Sequence, residues 1–575
     1  MSPSPRRASG RVLAVSRGEE PADLLLAGGR VFVPGTREWV RTDLAIADGV
    51  VAGWGPRDAH EVVDVGGAAL TAGFIDAHMH LESTKLWVEE FVRTVLPLGT
   101  TAVAADPHEI ANVFGVRGVA ALRAAAERLP FTFGICASSC VPASPFESPG
   151  ATLGPDEVRE LLDEHGAIGI AEMMDFPGVI KGDPQALAKI AAAGSRRVDG
   201  HAPGVRGPQL DAYLAAGVES DHECTDLEEA EEKRRKGMWL FVREGSASRN
   251  LAALIPTVLR HGGDRVALCT DDREPHTLLD AGHMDDCVRR SVAAGLPLEE
   301  ALVLATSNPA DYHRFDRLGW LAPGYQADVL CFDRLDRLRP DRVWQRGRLV
   351  AARGRIVPGA VPCAPPPAWM LRSVHLERVP EPSAFTDGLP ENGRVKAIAA
   401  VSGSLNTRSV AMDLGDAAAD IARIAAVERH HRTGRIGLGY VTGFGLERGA
   451  IASTVAHDAH NCLVIGSRDP ADSADMAAAV ARLAEMGGGQ VAVLAGRVLA
   501  EVSLPVGGLM SERPATEVAR AARHLADTAR SALGVTIDEP FMQLSFLGLS
   551  VIPELRITDR GLLDVTRFEV TSVEA

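Results

Sequence analysis

The sequence predicts an α/β protein in which a (β/α)8 barrel is inserted in a small β-sandwich module and is followed by a C-terminal domain of mixed α/β pattern. Three observations predict this architecture. The chain has 575 residues, which is too many for one compact core. Apolar strand-like runs alternate with helical stretches through its first half, as in a parallel sheet. Residues that bind metals follow several of these runs.

The β-sandwich module is predicted from two separate segments. Short apolar runs broken by Gly and Asp occupy residues 22–70, and the same pattern returns after residue 315. We assign residues 21–70 and 316–375 to this module and residues 1–20 to an N-terminal tail. A Pro-rich linker lies at residues 358–367, and residues 385–575 form the C-terminal domain.

The barrel is assigned to residues 71–315, a length close to the ~250 residues that are typical of this fold. Eight apolar runs are predicted to be its strands, at residues 69–80, 100–106, 131–136, 167–172, 197–201, 217–222, 238–243 and 265–271. Helical stretches, such as residues 116–128 and 251–261, lie between several of them.

Composition argues against several classes of partner. The net charge is −16 with no basic stripe, so nucleic acid is not an expected partner. No apolar run approaches the ~20 residues of a membrane span, and the polar N-terminus carries no apolar signal segment. The eight cysteines form no Cys-x-x-Cys pair, which is typical of reduced, buried thiols. We therefore expect a cytoplasmic protein.

A metal site is predicted from His78 and His80 at the end of the first barrel strand. Residues two apart on a strand point to the same side, so both imidazoles can face one ion. The alternative is a pair of solvent histidines at the start of a loop. Later strand ends carry Glu172, His201, His222 and Asp271, and in this fold the carboxyl ends of the strands converge.

Taken one at a time, these residues have other interpretations: His201 could lie in a turn and His222 could be exposed. A carboxylate that ends a buried strand, as Glu172 and Asp271 do, is costly without a partner, and a cation is a suitable one. Nitrogen and carboxylate donors suit Mn²⁺, Fe²⁺ or Zn²⁺. Two ions could share Glu172, one with His78, His80 and Asp271, the other with His201 and His222.

Several stretches make the chain resemble the amidohydrolase superfamily and, within it, the bacterial adenine deaminases that act on the free base. In the barrel these are Gly-Phe-Ile-Asp-Ala-His-Met-His-Leu-Glu-Ser at 73–83, Asp-Pro-His-Glu-Ile-Ala-Asn-Val at 106–113, Cys-Thr-Asp-Asp-Arg at 269–273 and Ala-Gly-His-Met-Asp at 281–285. In the C-terminal domain they are residues 441–461 and 504–511. Departures from the family pattern occur at Ala72 and at Thr84-Lys85, and neither touches a predicted ligand.

The resemblance implies metal-dependent hydrolysis of adenine to hypoxanthine and ammonia, a purine-salvage reaction, in a homo-oligomer. It implies roles for Asp271 as ligand and base, and for Glu172 and His222 as further catalytic ligands. Asp272 is expected to hydrogen-bond the N7 edge of the purine. Secondary substrate-binding candidates are His108, Glu109 and His283, for which helix capping or support of the ligands is the alternative.

Two other functions stay open at this point. Related enzymes that open cyclic amides bridge their metals with a carboxylated lysine at the end of strand four, where this chain has Glu172. None of its six lysines ends a predicted strand, which favours a deaminase, but another aminopurine or a cyclic amide is the alternative substrate. A non-catalytic scaffold would be expected to have lost ligands.

Two histidines of the C-terminal domain also have two interpretations. His457 and His460 either place the C-terminal domain over the barrel mouth or are purely structural.

Overall fold

The computed structural model describes residues 9–246, 248–402 and 404–575, so residues 1–8 of the predicted tail lie outside the described residues. The rest of that tail is largely helical. Helix α1 (Gly10–Arg17) begins after Ser9, whose side chain accepts a hydrogen bond from the Val12 amide, and ends at Gly18, where φ is 77°. Val12 and Val15 pack on the first β-sheet, so this segment belongs to the first module.

The first module begins with five strands. They are β1 (Ala22–Val33), β2 (Glu38–Ala47), β3 (Val50–Trp54), β4 (Ala59–Asp64) and β5 (Ala69–Ala72). The predicted strand at residues 69–80 is therefore two strands: β5 stays in this sheet, and β6 (Phe74–Met79) starts the next one. The break falls at Gly73, where a Cβ atom would lie 2.0 Å from Thr101 Oγ1, so only glycine fits this close approach.

Eight strands follow one another through the predicted barrel. They are β6, β7 (Thr100–Ala105), β8 (Thr132–Ile135), β9 (Gly169–Met173), β10 (Arg197–Gly200), β11 (Ser220–Asp221), β12 (Trp239–Arg243) and β13 (Val266–Cys269). Parallel pairing joins β6 to β7 and β8, β9 to β10, and β11 to β12 and β13. Isolated parallel bridges join Ala137 to Ile170 and Met79 to Asp271.

Twelve helices lie along the same segment. They are α2 (Val88–Val95), α3 (His108–Ala126), α4 (Pro155–Asp163), α5 (Phe176–Lys181), α6 (Pro184–Ala192), α7 (Gly207–Ala215), α8 (Leu227–Arg235), α9 (Leu251–His261), α10 (Pro275–Asp280), α11 (Met284–Ala293), α12 (Leu298–Leu304) and α13 (Ser307–His313). The alternation gives a mixed α/β composition.

The chain then returns to the first sheet. Strands β14 (Val329–Phe332), β15 (Arg342–Gln345), β16 (Arg348–Ala352) and β17 (Arg355–Ile356) extend it through the antiparallel pair of β14 and β5. The resulting nine-stranded sheet has the order β17-β16-β15-β14-β5-β1-β2-β3, with β4 paired to β1. Both flanking segments thus share one sheet.

The C-terminal region contains two further sheets. The larger one has the order β19-β18-β21-β20-β23-β22-β24-β25 and is formed by β18 (Arg394–Ala399), β19 (Arg408–Asp413), β20 (Ala422–Val427), β21 (Ile436–Thr442), β22 (Ala450–Ser453), β23 (Cys462–Gly466), β24 (Gly489–Leu494) and β25 (Arg497–Ser503). The smaller one is formed by β26 (Leu555–Thr558), β27 (Gly561–Asp564) and β28 (Glu569–Val570). The helices are α14 (Ser473–Met486), α15 (Ala515–Leu533) and α16 (Pro540–Phe546).

This region packs directly on the strand–helix region. The Trp87 amide donates to the Ser511 carbonyl at 2.9 Å, and the Ser511 amide donates to the Lys85 carbonyl at 2.8 Å. Asn461 Nδ2 donates to the Ser148 carbonyl at 3.1 Å. These bonds involve the segments that follow β6 and β8, so the C-terminal region packs on the loops that leave the carboxyl ends of those strands. Among the described helices, none has the length and apolar character needed to cross a membrane.

Candidate active site

His78 and His80 both lie at the buried end of β6, and the backbone around them is held by Asp76. Asp76 Oδ1 accepts hydrogen bonds from the amides of His78 and Thr270, at 3.2 and 3.1 Å, which ties the end of β6 to the end of β13. His80 Nδ1 lies 3.0 Å from the Asp106 carbonyl, which can only accept. Nδ1 therefore carries the proton, and Nε2 faces the site.

Glu172, at the end of β9, lies at the centre of the predicted ligands. Its Oε2 atom is 2.7 Å from His201 Nδ1 and 3.2 Å from His222 Nε2, and its Oε1 atom is 3.5 Å from His80 Nε2. Burial alone would raise the pKa of Glu172, but His201 and His222 hold it well below its ordinary value. Together with His108, whose Nδ1 atom is 3.5 Å from Oε1, this makes the side chain an anion that contacts four imidazoles.

Asp271 follows β13 and divides its two oxygens between different partners. Oδ1 is 3.1 Å from His80 Nε2 and 3.5 Å from His78 Nε2. Oδ2 accepts a hydrogen bond from Arg243 at 2.6 Å. Although burial opposes ionisation, Arg243 and the two histidines hold the pKa of Asp271 well below its usual range.

The carboxylates give the site an excess of negative charge that attracts protons to its histidines. Burial would lower the pKa of His80, yet Asp271 and Glu172 raise it well above its ordinary value. Burial also opposes protonation of His222, but Glu172 and Glu223 raise its pKa well above the usual range. By contrast, burial lowers the pKa of His78. Its Nε2 atom has no hydrogen-bond partner among the described residues.

The six predicted ligands lie together, and their donor atoms form more than one group that could hold an ion. Donor atoms of His78, His222 and Asp271 lie within 4.8 Å of one another, and the His78 and His222 rings stack with centroids 4.2 Å apart. A second group within the same limit comprises His80, Asp106, His108 and Glu172. His222 is therefore close to His78 as well as to Glu172, since β11 and β6 bring their ends together across the site.

Three of the predicted substrate-binding residues lie beside this cluster. The Ser83 hydroxyl donates to Asp272 Oδ1. His108 Nδ1 is 3.2 Å from Asp106 Oδ2 and 3.5 Å from Glu172 Oε1. Glu109 Oε1 is 3.2 Å from His457 Nδ1, which belongs to the C-terminal region. Burial, and next the neighbouring Glu82, raise the pKa of Glu109 well above its ordinary value, so its carboxyl group holds a proton.

His283 lies beneath the ligand cluster, and its role as a substrate contact stays a prediction. Its side chain is fully buried, with Nδ1 2.9 Å from Thr100 Oγ1, and with Nε2 3.3 Å from Asp76 Oδ2 and 3.4 Å from Thr270 Oγ1. Thr100 begins β7, whereas Thr270 directly precedes Asp271, so the ring lies between the start of β7 and the end of β13. Through Asp76 it supports the backbone that carries His78, which is the supporting role that was its alternative.

Several functional candidates were missed in the sequence. Arg243 ends β12 and binds both Asp271 and Glu223, while Asp106 ends the second predicted strand and lies beside His108. Their positions at strand ends, and that of Glu223 directly after His222, were signals that could have found them. Asp458 lies 3.7 Å from His108 Nε2, and no local pattern places it there because it comes from the C-terminal region.

Two family models match separate parts of the chain. The amidohydrolase family model matches residues 69–350, and the model of the adenine deaminase C-terminal domain matches residues 400–569. The first match covers the strand–helix region with both strand-end clusters, and the second covers most of the larger C-terminal sheet.

Curated relatives match over nearly the whole chain. The adenine deaminase of Desulfatibacillum aliphaticivorans is 43% identical over 98% of this chain and 99% of its own. Adenine deaminase 2 of Carboxydothermus hydrogenoformans is 40% identical, again over 98% of this chain and 99% of its own. The adenine deaminase of Methanothrix thermoacetophila is 43% identical over 97% of this chain and 98% of its own. The chain therefore belongs to the adenine deaminase family of amidohydrolases.

Proposed function

We propose that this protein hydrolyses adenine to hypoxanthine and ammonia. The single observation that carries the proposal is the meeting of Glu172 and Asp271 with four imidazoles at the strand ends, in a chain whose relatives over nearly full length are named adenine deaminases. The reaction breaks the C6–N6 bond of adenine and forms a C6–O bond with water.

The eight strands β6 to β13 are proposed to close into a (β/α)8 barrel, flanked by the first sheet and followed by the C-terminal domain. The parallel bridge from Met79 to Asp271 supports closure because it brings the first strand beside the last. The Glu219 amide donates to the Val198 carbonyl at 3.0 Å, which brings β10 beside β11. Such a barrel places its active site at the carboxyl ends of its strands.

Two divalent ions, Mn²⁺ or Fe²⁺ with Zn²⁺ as the alternative, are proposed to bind His78, His80, Glu172, His201, His222 and Asp271. The residues fit such ions in two respects. His78 Nε2 is buried and has no hydrogen-bond partner within the described chain, and the donors are a mixture of imidazole nitrogen and carboxylate oxygen. When bound, a divalent ion would act as a Lewis acid. It would lower the pKa of water to ~7, so that water becomes nucleophilic near neutral pH.

Two side chains of the protein, Asp271 and Glu109, are proposed to transfer the protons of the reaction. Asp271 is the proposed general base: because Arg243 holds Oδ2, Oδ1 is the oxygen that can accept a proton from water and pass it to the leaving amine. Glu109, whose raised pKa keeps it protonated, can donate to a purine ring nitrogen as C6 becomes tetrahedral. Asp272, held by Ser83, is proposed to bind the N7 edge. Glu172 and His222 hold the ligand cluster together.

The decisive experiment measures ammonia release from adenine by protein loaded with Mn²⁺ or Fe²⁺, beside a chelated sample. Metal-dependent formation of hypoxanthine is expected. No turnover, with metal still bound, would discard adenine as the substrate and direct the search to other aminopurines and cyclic amides in the same assay.

A further inference from the structure

A small cavity lies where the C-terminal region covers the strand ends. One side is lined by Glu82, Ser83 and Asp272, next to the ligand cluster. The opposite side is lined by His457, Gln490 and Phe546, which come from the C-terminal region.

We propose that this cavity binds the purine ring and that His457 and Phe546 form one wall of the substrate site. The inference rests on the proposed function and deepens it, because it makes the C-terminal domain part of the binding site.

The two sides of the cavity differ in chemistry in the way that a purine requires. On the barrel side, the carboxyl groups of Glu82 and Asp272 and the Ser83 hydroxyl offer hydrogen bonds to the polar edge of the ring. On the other side, Phe546 stacks on the imidazole of His457 with centroids 4.4 Å apart and planes 11° apart. An aromatic wall favours a flat aromatic ligand.

His457 is held from both sides of the interface. Its amide donates to the Ser545 carbonyl of α16 at 2.9 Å, and its Nδ1 atom is 3.2 Å from Glu109 Oε1 of α3. Burial lowers the pKa of His457, so the ring is neutral and adds little electrostatic cost to binding an uncharged base. The same contact joins Glu109, the proposed proton donor, to a residue that lines the cavity.

Phe546 is also part of a small apolar cluster with Cys140, Met174 and Leu549. A role limited to packing the two regions together is therefore the competing explanation. The two explanations differ in what a conservative change should alter: substrate affinity in one case, and only stability in the other.

The test compares three metal-loaded variants with the wild type: Phe546→Leu, His457→Phe and Phe385→Leu. The last is the matched control, because Phe385 is equally aromatic and buried but packs under α14, in a separate apolar cluster of the same domain. For each variant, kcat and KM for adenine, the inhibition constant of hypoxanthine and the metal content are measured.

The expected result is a rise of roughly tenfold in KM and in the hypoxanthine inhibition constant for Phe546→Leu and His457→Phe. Metal content should be unchanged, and Phe385→Leu should resemble the wild type. Unchanged constants in both cavity variants, or an equal change in the control, would overturn the proposal. If the wild type failed to deaminate adenine, the proposed function itself would fail, which is a different outcome.

Discussion

The two sides of the site are built in different ways. On the strand–helix side, Glu172 and Asp271 lie directly at strand ends, and their positions follow from the parallel pairing of neighbouring strands. On the C-terminal side, His457 and Phe546 reach the site from a loop and a short helix that lie far beyond β13 in the chain. The first side is set by local strand geometry and the second by how two regions pack.

This difference suggests that one side of the site serves catalysis and the other serves substrate binding. The strand–helix side contains most of the charged groups, which can bind cations and move protons, although Asp458 of the C-terminal region lies 3.7 Å from His108. The C-terminal side contributes mainly aromatic and apolar surface, which can shape the cavity without taking part in proton transfer. Changes on the first side should therefore abolish turnover, whereas changes on the second should alter affinity or stability.

The largest effect is expected from Asp271→Asn, which tests whether the general base lies on the strand–helix side of the site. The amide keeps a similar shape but cannot act as a base, so kcat should fall by at least about 10³-fold while the thermal transition changes little. The matched control is Asp264→Asn, at an exposed position. Near-normal turnover in the Asp271 variant would remove its assigned role.

Glu172→Gln should reduce metal binding next. A neutral amide cannot replace the anion that contacts four imidazoles, so we expect metal affinity to fall by about 100-fold and turnover to fall with it. Metal content after dialysis against a weak chelator measures this, with Glu164→Gln on the exposed end of α4 as the control. Full metal content in the Glu172 variant would contradict the shared-ligand assignment.

Arg243→Gln tests whether the negative charges of Glu223 and Asp271 are neutralised by Arg243 or by bound cations. Removing the guanidinium leaves Glu223 and Asp271 buried beside each other, which should cost about 3–5 kcal/mol in chelated protein. Bound cations should reduce this cost. Thermal unfolding with and without metal measures the difference, and Arg260→Gln at a more exposed ion pair is the control. An equal loss in both metal states would show that the cations do not face these carboxylates.

The smallest effect concerns Glu147, which lies where the two regions meet and accepts a hydrogen bond from Ser550 at 3.1 Å. Burial, and next Asp458, raise its pKa from 4.5 to about 8. The folded protein thus keeps a proton that the unfolded chain releases above pH 4.5, so stability should fall as pH rises toward 8.

In Glu147→Gln this part of the pH dependence should disappear. Between pH 5.5 and 7.5 the wild type should lose about 2–3 kcal/mol more than the variant, at roughly 1.4 kcal/mol for each pH unit. Urea unfolding at the two pH values measures it. Parallel losses in both proteins would show that Glu147 is ionised in the folded state.

Much of this site could be predicted from residue order because strands impose strict geometry. All eight predicted barrel runs contain a strand of the structure, and the ligand candidates at their ends lie together. The division of the first run at Gly73 was not predicted, because the contact with Thr101 that requires glycine is between neighbouring strands. The contact of His283 with Thr100 at the start of β7 was not predicted for a related reason, because the two residues are far apart in the chain.

By itself, the sequence determined the α/β character, the order of the strands and the donor residues at their ends, because a period of two and burial are local properties of the chain. Tertiary structure alone decided that Arg243 would neutralise Asp271, that His222 would stack on His78, and that His457 and Phe546 would close the site. Those contacts join residues far apart in the chain, so their distances depend on the packing of whole elements, which no local pattern records.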